Sequence, residues 1–148
     1  MTAAKDDAAP SEDAAAEETR LAFAALLVEA GGIDGDYADE EKALICGILA
    51  SEFELSDSQA IALRETAEAA VNNANDHYGF SKAVKEGLSH AEKVNLVERL
   101  WEVVYADGVR EAHEDYLIRR LIGLIYVSDQ ESGAARRRVE GRLGIQKN

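Results

Sequence analysis

Cysteine and proline are almost missing from this chain. Cys46 is its one cysteine, so no internal disulfide can form, and the chain suits a reducing cytoplasm. One proline, with abundant Ala, Leu and Glu, points to helix. Positive charge is also scarce: 16 Lys and Arg stand against 29 Asp and Glu, a formal charge of −13. Phosphates would be repelled by most of such a surface, which argues against nucleic acid and favours cations or basic partners. No stretch approaches the ~20 apolar residues of a membrane span, so any membrane role is expected to be peripheral. The N-terminal segment lacks the apolar run of a signal peptide. Gly-rich phosphate loops, HExxH, GxSxG and CxxC are all absent, and Cys46 has no nearby candidate base, so no enzyme is expected.

What is present is the material of one all-α domain: 148 residues, of which 47% are apolar. Residues 1–16 carry no large apolar side chain after Met1 and are expected to be a disordered acidic, Ala-rich tail. Residues 17–144 read as the helical domain and 145–148 as a short tail. Helical periodicity predicts helices over about 17–30, 38–53, 57–75, 81–87, 90–106, 112–127 and 129–143. Ser56-x-x-Gln59, Ser89-x-x-Glu92 and Ser128-x-x-Glu131 read as capping boxes. The helix over 112–127 is apolar on several sides and is expected at the centre of the packing.

Part of the chain is written twice. Glu29, Asp34 and Glu41 recur as Glu102, Asp107 and Glu114, with one offset throughout: 102−29, 107−34 and 114−41 are each 73. Apolar positions follow it, Leu27 with Leu100, Ile45 with Ile118 and Phe53 with Tyr126. Ser56 and Ser128 are 72 apart, so one residue was gained or lost between the two copies. The reading is two three-helix repeats about a pseudo-two-fold axis.

The repeated acids fall at one kind of place. Glu29 and Glu102 close a helix, Asp34 and Asp107 sit in the turn, and Glu41 and Glu114 open the next helix. A helix-turn-helix brings these to one corner, where clustered carboxylates repel unless something neutralises them. An all-oxygen set suits Ca²⁺, Mg²⁺ or Mn²⁺. It is not an EF-hand, since Ala38 stands where that loop needs an oxygen ligand. Ordinary turn chemistry is the competing explanation: Asp-Gly favours turns, and acids in a first helical turn complement the dipole. Acids near a helix C-terminus, Glu29 and Glu102, fit that explanation poorly. His113 beside Glu114 is read as solvated, its counterpart being Glu40, and Cys46 as a small buried hydrophobe.

Duplicated helical hairpins with Asp-Gly-x5-Glu, here Asp34-Gly35…Glu41 and Asp107-Gly108…Glu114, resemble the TerB family of tellurite-resistance proteins. The similarity extends to the N-terminal domain of DjlA-type membrane-linked co-chaperones and covers about Leu21 to Leu143. The acidic tail and Gly31-Gly32 lie outside that pattern. The resemblance implies about seven helices and a metal-binding acidic patch that takes in Asp34, Glu41, Asp107 and Glu114. It also implies a role in tellurite and general stress resistance, with other Ter-type proteins at the inner membrane as partners. Glu29 and Glu102 join the set on the repeat alone. The alternative is a metal-free adaptor docking a membrane complex, in which Arg136, Arg137, Arg138 and Arg142 would meet a partner or the acidic face of a second copy.

Overall fold

Ala, Leu and Glu dominate the chain from Glu12 onward, and these residues lose least on entering a helix. The computed structural model describes residues 12–31, 38–73, 78–107 and 112–144, with the backbone alone for 12–13, 78, 107 and 112–117. Among the described residues are seven helices and no strand, an all-α single domain. They are α1 (Glu12–Gly31), α2 (Asp39–Phe53), α3 (Asp57–Asn73), α4 (Tyr78–Gly87), α5 (His90–Val104), α6 (Ala112–Ile125) and α7 (Asp129–Leu143). A 3-10 turn, Tyr105–Asp107, follows α5. The start of α1 corrects the expected tail boundary: residues 12–16 are helical, because alanine extends an already nucleated helix at almost no cost.

The centre of the packing is α1, not α6. Every residue from Ala22 to Val28 is buried, so α1 has no solvent face over two turns. It packs chiefly on α3 and α4 and also on α5 and α2. Its alanines, Ala22, Ala24 and Ala25, let those neighbours approach on several sides, while Phe23, Leu26 and Leu27 fill the gaps. Burying a side chain such as Leu27 contributes about 1.5–3 kcal/mol. Phe23 meets Phe53 edge-on at 5.2 Å, tying α1 to the end of α2. In α6, by contrast, Leu124 and Gly123 face outward, although Ile118, Leu121, Ile122 and Ile125 are buried. Its length of apolar sequence overstated its burial.

The second half is built around α5, which packs on α7 and α6. Trp101 is buried and its Nε1–H donates to Ser132 Oγ at 3.1 Å. The Tyr105 hydroxyl donates to Glu140 at 2.5 Å, so both aromatic residues keep a partner for their polar atom.

All three expected capping boxes are formed, at Ser56–Gln59, Ser89–Glu92 and Ser128–Glu131. The helices before the first and third end alike. Glu54 (φ 53) and Tyr126 (φ 67) both take the left-handed conformation. Leu55 N–H then donates to Ala50 O at 3.0 Å, and Val127 N–H to Ile122 O at 2.9 Å, the Schellman pattern in both places. These positions are 72 apart, whereas the starts of α2 and α6, Asp39 and Ala112, are 73 apart. The spacing thus changes by one residue over these helices, and α6 has 14 residues against 15 in α2. Tyr126 corresponds to Glu54, not to Phe53; accordingly Tyr126 is exposed while Phe53 packs against the core.

Candidate functional site

The corner acids divide into those whose side chains the structure describes and those it does not. Asp34 lies outside the described residues, as do the side chains of Asp107 and Glu114. The backbone still places the matched pairs alike. Glu41 and Glu114 are each the third residue of their helices, and Glu29 and Glu102 each stand two residues before a helix end. The turn that carries Asp107 packs against α2, the helix that Glu41 opens.

Glu41 is buried, at 7% exposure. Its Oε1 accepts the Ala38 N–H at 2.9 Å, which satisfies one donor at the start of α2. Alanine cannot return the favour, so this is half of a capping box. A carboxylate has lone pairs enough to cap a helix and also face a cation. Glu29 is half-buried in the last turn of α1. Glu102 is committed differently: Arg99 Nη1 donates to its Oε1 at 2.6 Å and Arg142 Nη2 to its Oε2 at 2.7 Å. Among the described residues no three His, Cys, Asp or Glu side chains are grouped to hold a metal ion.

Glu102 belongs to an ionic network that the sequence reading missed. At its centre is Glu98, 8% exposed. Arg138 Nε donates to its Oε1 at 2.8 Å and Arg142 Nη1 to its Oε2 at 2.6 Å. Burial alone pushes the Glu98 carboxyl up, but the hydrogen bonds and charges of Arg138 and Arg142 together outweigh it and hold the group below its ordinary value. Arg142 is held further above its ordinary value by Glu102 and then Glu98. The signal was available: Glu98 shares a helical stripe with Val94 and Trp101, and Arg138 and Arg142 are one turn apart on α7. The arginine run is thus largely engaged within the chain, with Arg136 stacked over the Trp101 ring at 5.4 Å to its centroid.

Two other polar contacts join helices. His90 Nε2 lies 2.6 Å from Glu131, linking the caps of α5 and α7. The Ser128 backbone N–H, and then His90, lower the Glu131 carboxyl to about 2. Cys46, expected to be a buried hydrophobe, is only half-buried, and Arg64 Nη1 donates to its Sγ at 3.2 Å.

The family model for Tellurite resistance protein TerB matches residues 20–137. The chain belongs to the TerB family. The match takes in both Asp-Gly-x5-Glu segments of this TerB-family chain and runs from the core of α1 into the arginine run of α7. Comparison with curated proteins and with solved structures gave no match. No helix among the described residues is long and apolar enough to cross a membrane.

Proposed function

We propose that this chain is a stress-response module of the tellurite-resistance type that binds a divalent cation and acts through protein partners, without catalysis. Membership of the TerB family supports the class of role. The observation that carries the cation is the constant offset of 73 between Glu29, Asp34, Glu41 and Glu102, Asp107, Glu114 at matching places in their helices. Turn chemistry accounts for the Asp-Gly pairs and for Glu41, which caps its helix. It does not account for Glu29. Glu29 stands, like Glu102, in the last turn of its helix, where a carboxylate opposes the helix dipole.

Asp34, Glu41, Asp107 and Glu114, with Glu29, are the proposed ligands, and Glu102 is the least suited because its two oxygens already meet arginines. Carboxylates alone favour Ca²⁺, Mg²⁺ or Mn²⁺. The bound cation would tie α1 to α2 and α5 to α6, and so fix the surface shown to partners, among them other Ter-type proteins at the cytoplasmic side of the inner membrane. The adaptor reading through the arginine run has weaker support, since Arg138 and Arg142 are bound to Glu98 and Glu102.

Thermal unfolding of chelator-stripped protein tests the proposal. Saturating Ca²⁺, Mg²⁺ or Mn²⁺ should raise the midpoint, by the equivalent of about 2.7 kcal/mol at a hundred times the dissociation constant. Asp34→Ala with Asp107→Ala should remove the rise. No rise with any of the three ions in the native protein would end the metal reading.

A further inference from the structure

The second half holds a cleft lined by two arginines. It is a cavity of about 420 Å³ between α5, α6 and α7, with Trp101, Ile118 and Ile122 among its lining residues. Among the described lining residues, Arg119 and Arg136 stand against one acid, Asp129. In a chain of net charge −13, such a local excess of positive charge is unusual.

The shared helix ends set the correspondence. With α3 and α7 aligned at an offset of 72, Arg64 matches Arg136, Glu68 matches Glu140 and Ile61 matches Gly133. With the earlier part of α2 and α6 aligned at 73, Cys46 matches Arg119. In the first half, the Arg64 Nε donates to Glu68 at 3.0 Å and its Nη1 to Cys46 at 3.2 Å. In the second half each of these contacts is changed. Glu140 accepts the Tyr105 hydroxyl and stands 3.9 Å from Arg136 Nε. That nitrogen is buried and has no hydrogen-bond partner among the described residues. The place of the Cys46 thiol is taken by a second arginine, which cannot accept a hydrogen bond. Gly133, where the first half has isoleucine, leaves the wall without a side chain.

We infer that this cleft binds a small organic oxyanion, a phosphate or carboxylate on a compact apolar body. Arg136 and Arg119 supply the charge, as guanidinium forks that match either group. The Trp101 indole with Ile118 and Ile122 supplies an apolar wall for the body. Asp129 at the rim would disfavour a more highly charged ligand. This site is separate from the carboxylate corners, and its test does not involve a metal.

Trp101 is the single tryptophan, so its fluorescence reports on the cleft. Phenyl phosphate, benzoate and inorganic phosphate would each be titrated into the full chain at low salt. The expected result is a saturable change with phenyl phosphate or benzoate. The one that binds more tightly names the oxyanion, and a weaker response to inorganic phosphate shows the share of the apolar wall. Arg136→Gln and Arg119→Gln should each weaken binding by about tenfold, as loss of a charge-assisted contact does. Gly133→Leu should abolish binding by filling the cleft; a Cβ there meets only Arg137 Nη1, at 3.5 Å. Arg64→Gln should leave binding unchanged. No saturable response to any of the three probes overturns the inference, as does native affinity in Arg136→Gln or in Gly133→Leu.

Discussion

The first and third helices of each half meet through different chemistry. Where α1 meets α3 the facing positions are small and apolar: Ala25, Ala60 and Ala67 are all buried. Where α5 meets α7, the counterpart of Ala25 is Glu98, and Thr66 and Ala70 are replaced by Arg138 and Arg142. The first contact is thus an alanine interface and the second an ion-pair interface. The difference follows from position. α1 is enclosed by α2, α3, α4 and α5, so a charge at Ala25 would lack both water and a partner. Glu98 is buried too, but Arg138 and Arg142 reach it from the half-exposed side of α7. The buried stretch of α1 excludes charge, and the outer pair keeps its charges paired.

The largest effect expected from breaking this comparison is in the core common to both halves. Leu27→Ala and Leu100→Ala remove corresponding side chains, both essentially fully buried. Each should cost about 2–5 kcal/mol. Leu27→Ala should be the worse, because α1 touches more neighbours; urea midpoints compare them directly.

Next comes Glu98→Ala, which gives the second interface the residue of the first. It should cost about 1–3 kcal/mol, because Arg138 loses its acceptor and Arg142 keeps only Glu102, discounted for the partial exposure of both arginines. Adding Arg138→Thr and Arg142→Ala completes the copy of the first half and should restore most of that loss. Failure of the triple variant to recover would mean that the ion pairs stabilise more than they compensate.

Smaller again are the matched left-handed residues. Glu54→Gly should stabilise by about 0.5–1 kcal/mol, since glycine takes that conformation without the Cβ conflict. Tyr126→Gly should gain less, because the Lys85 ammonium sits 5.1 Å from the Tyr126 ring centroid and would lose that contact.

The smallest effect at neutral pH separates the two capping boxes by acid. Glu131 at the start of α7 corresponds to Gln59 at the start of α3. The Glu131 carboxyl titrates at about 2 in the fold against an ordinary 4.5. Its contribution is therefore fully present above about pH 4.5 and is lost as pH falls toward 2. Gln59 has no such dependence. Glu131→Gln should flatten part of the acid limb of stability between pH 5 and 2, and Gln59→Glu should add one, read from urea midpoints at each pH.

Much of the frame was legible in the chain. Seven helices and the capping boxes follow from periodicity and local hydrogen-bonding rules, which depend on neighbours in sequence. What escaped depends on neighbours in space. Leu121 and Leu124 look alike in sequence, yet only the structure shows that Leu124 faces out and that α1, with its alanines, takes the centre. The one-residue change in spacing over α2 and α6 needed the positive φ of Tyr126 to show it. Of the candidate site, the sequence supplied all six acids and the structure supplied a role for two: Glu41 caps α2, and Glu102 joins the Arg99–Arg142 network. No periodicity could have assigned Arg142 to Glu102, because the pairing is made across two helices 40 residues apart in sequence.

The most direct test of the central claim is calorimetric titration of Mn²⁺, Mg²⁺ and Ca²⁺ into four chelator-stripped proteins: native, Asp34→Ala, Asp107→Ala and the double variant. If the duplicated acids are a duplicated cation site, the native protein binds one of these ions saturably, each single variant binds it more weakly, and the double variant does not bind. Native protein that takes up none of the three, or a double variant that binds as the native one does, would contradict the account.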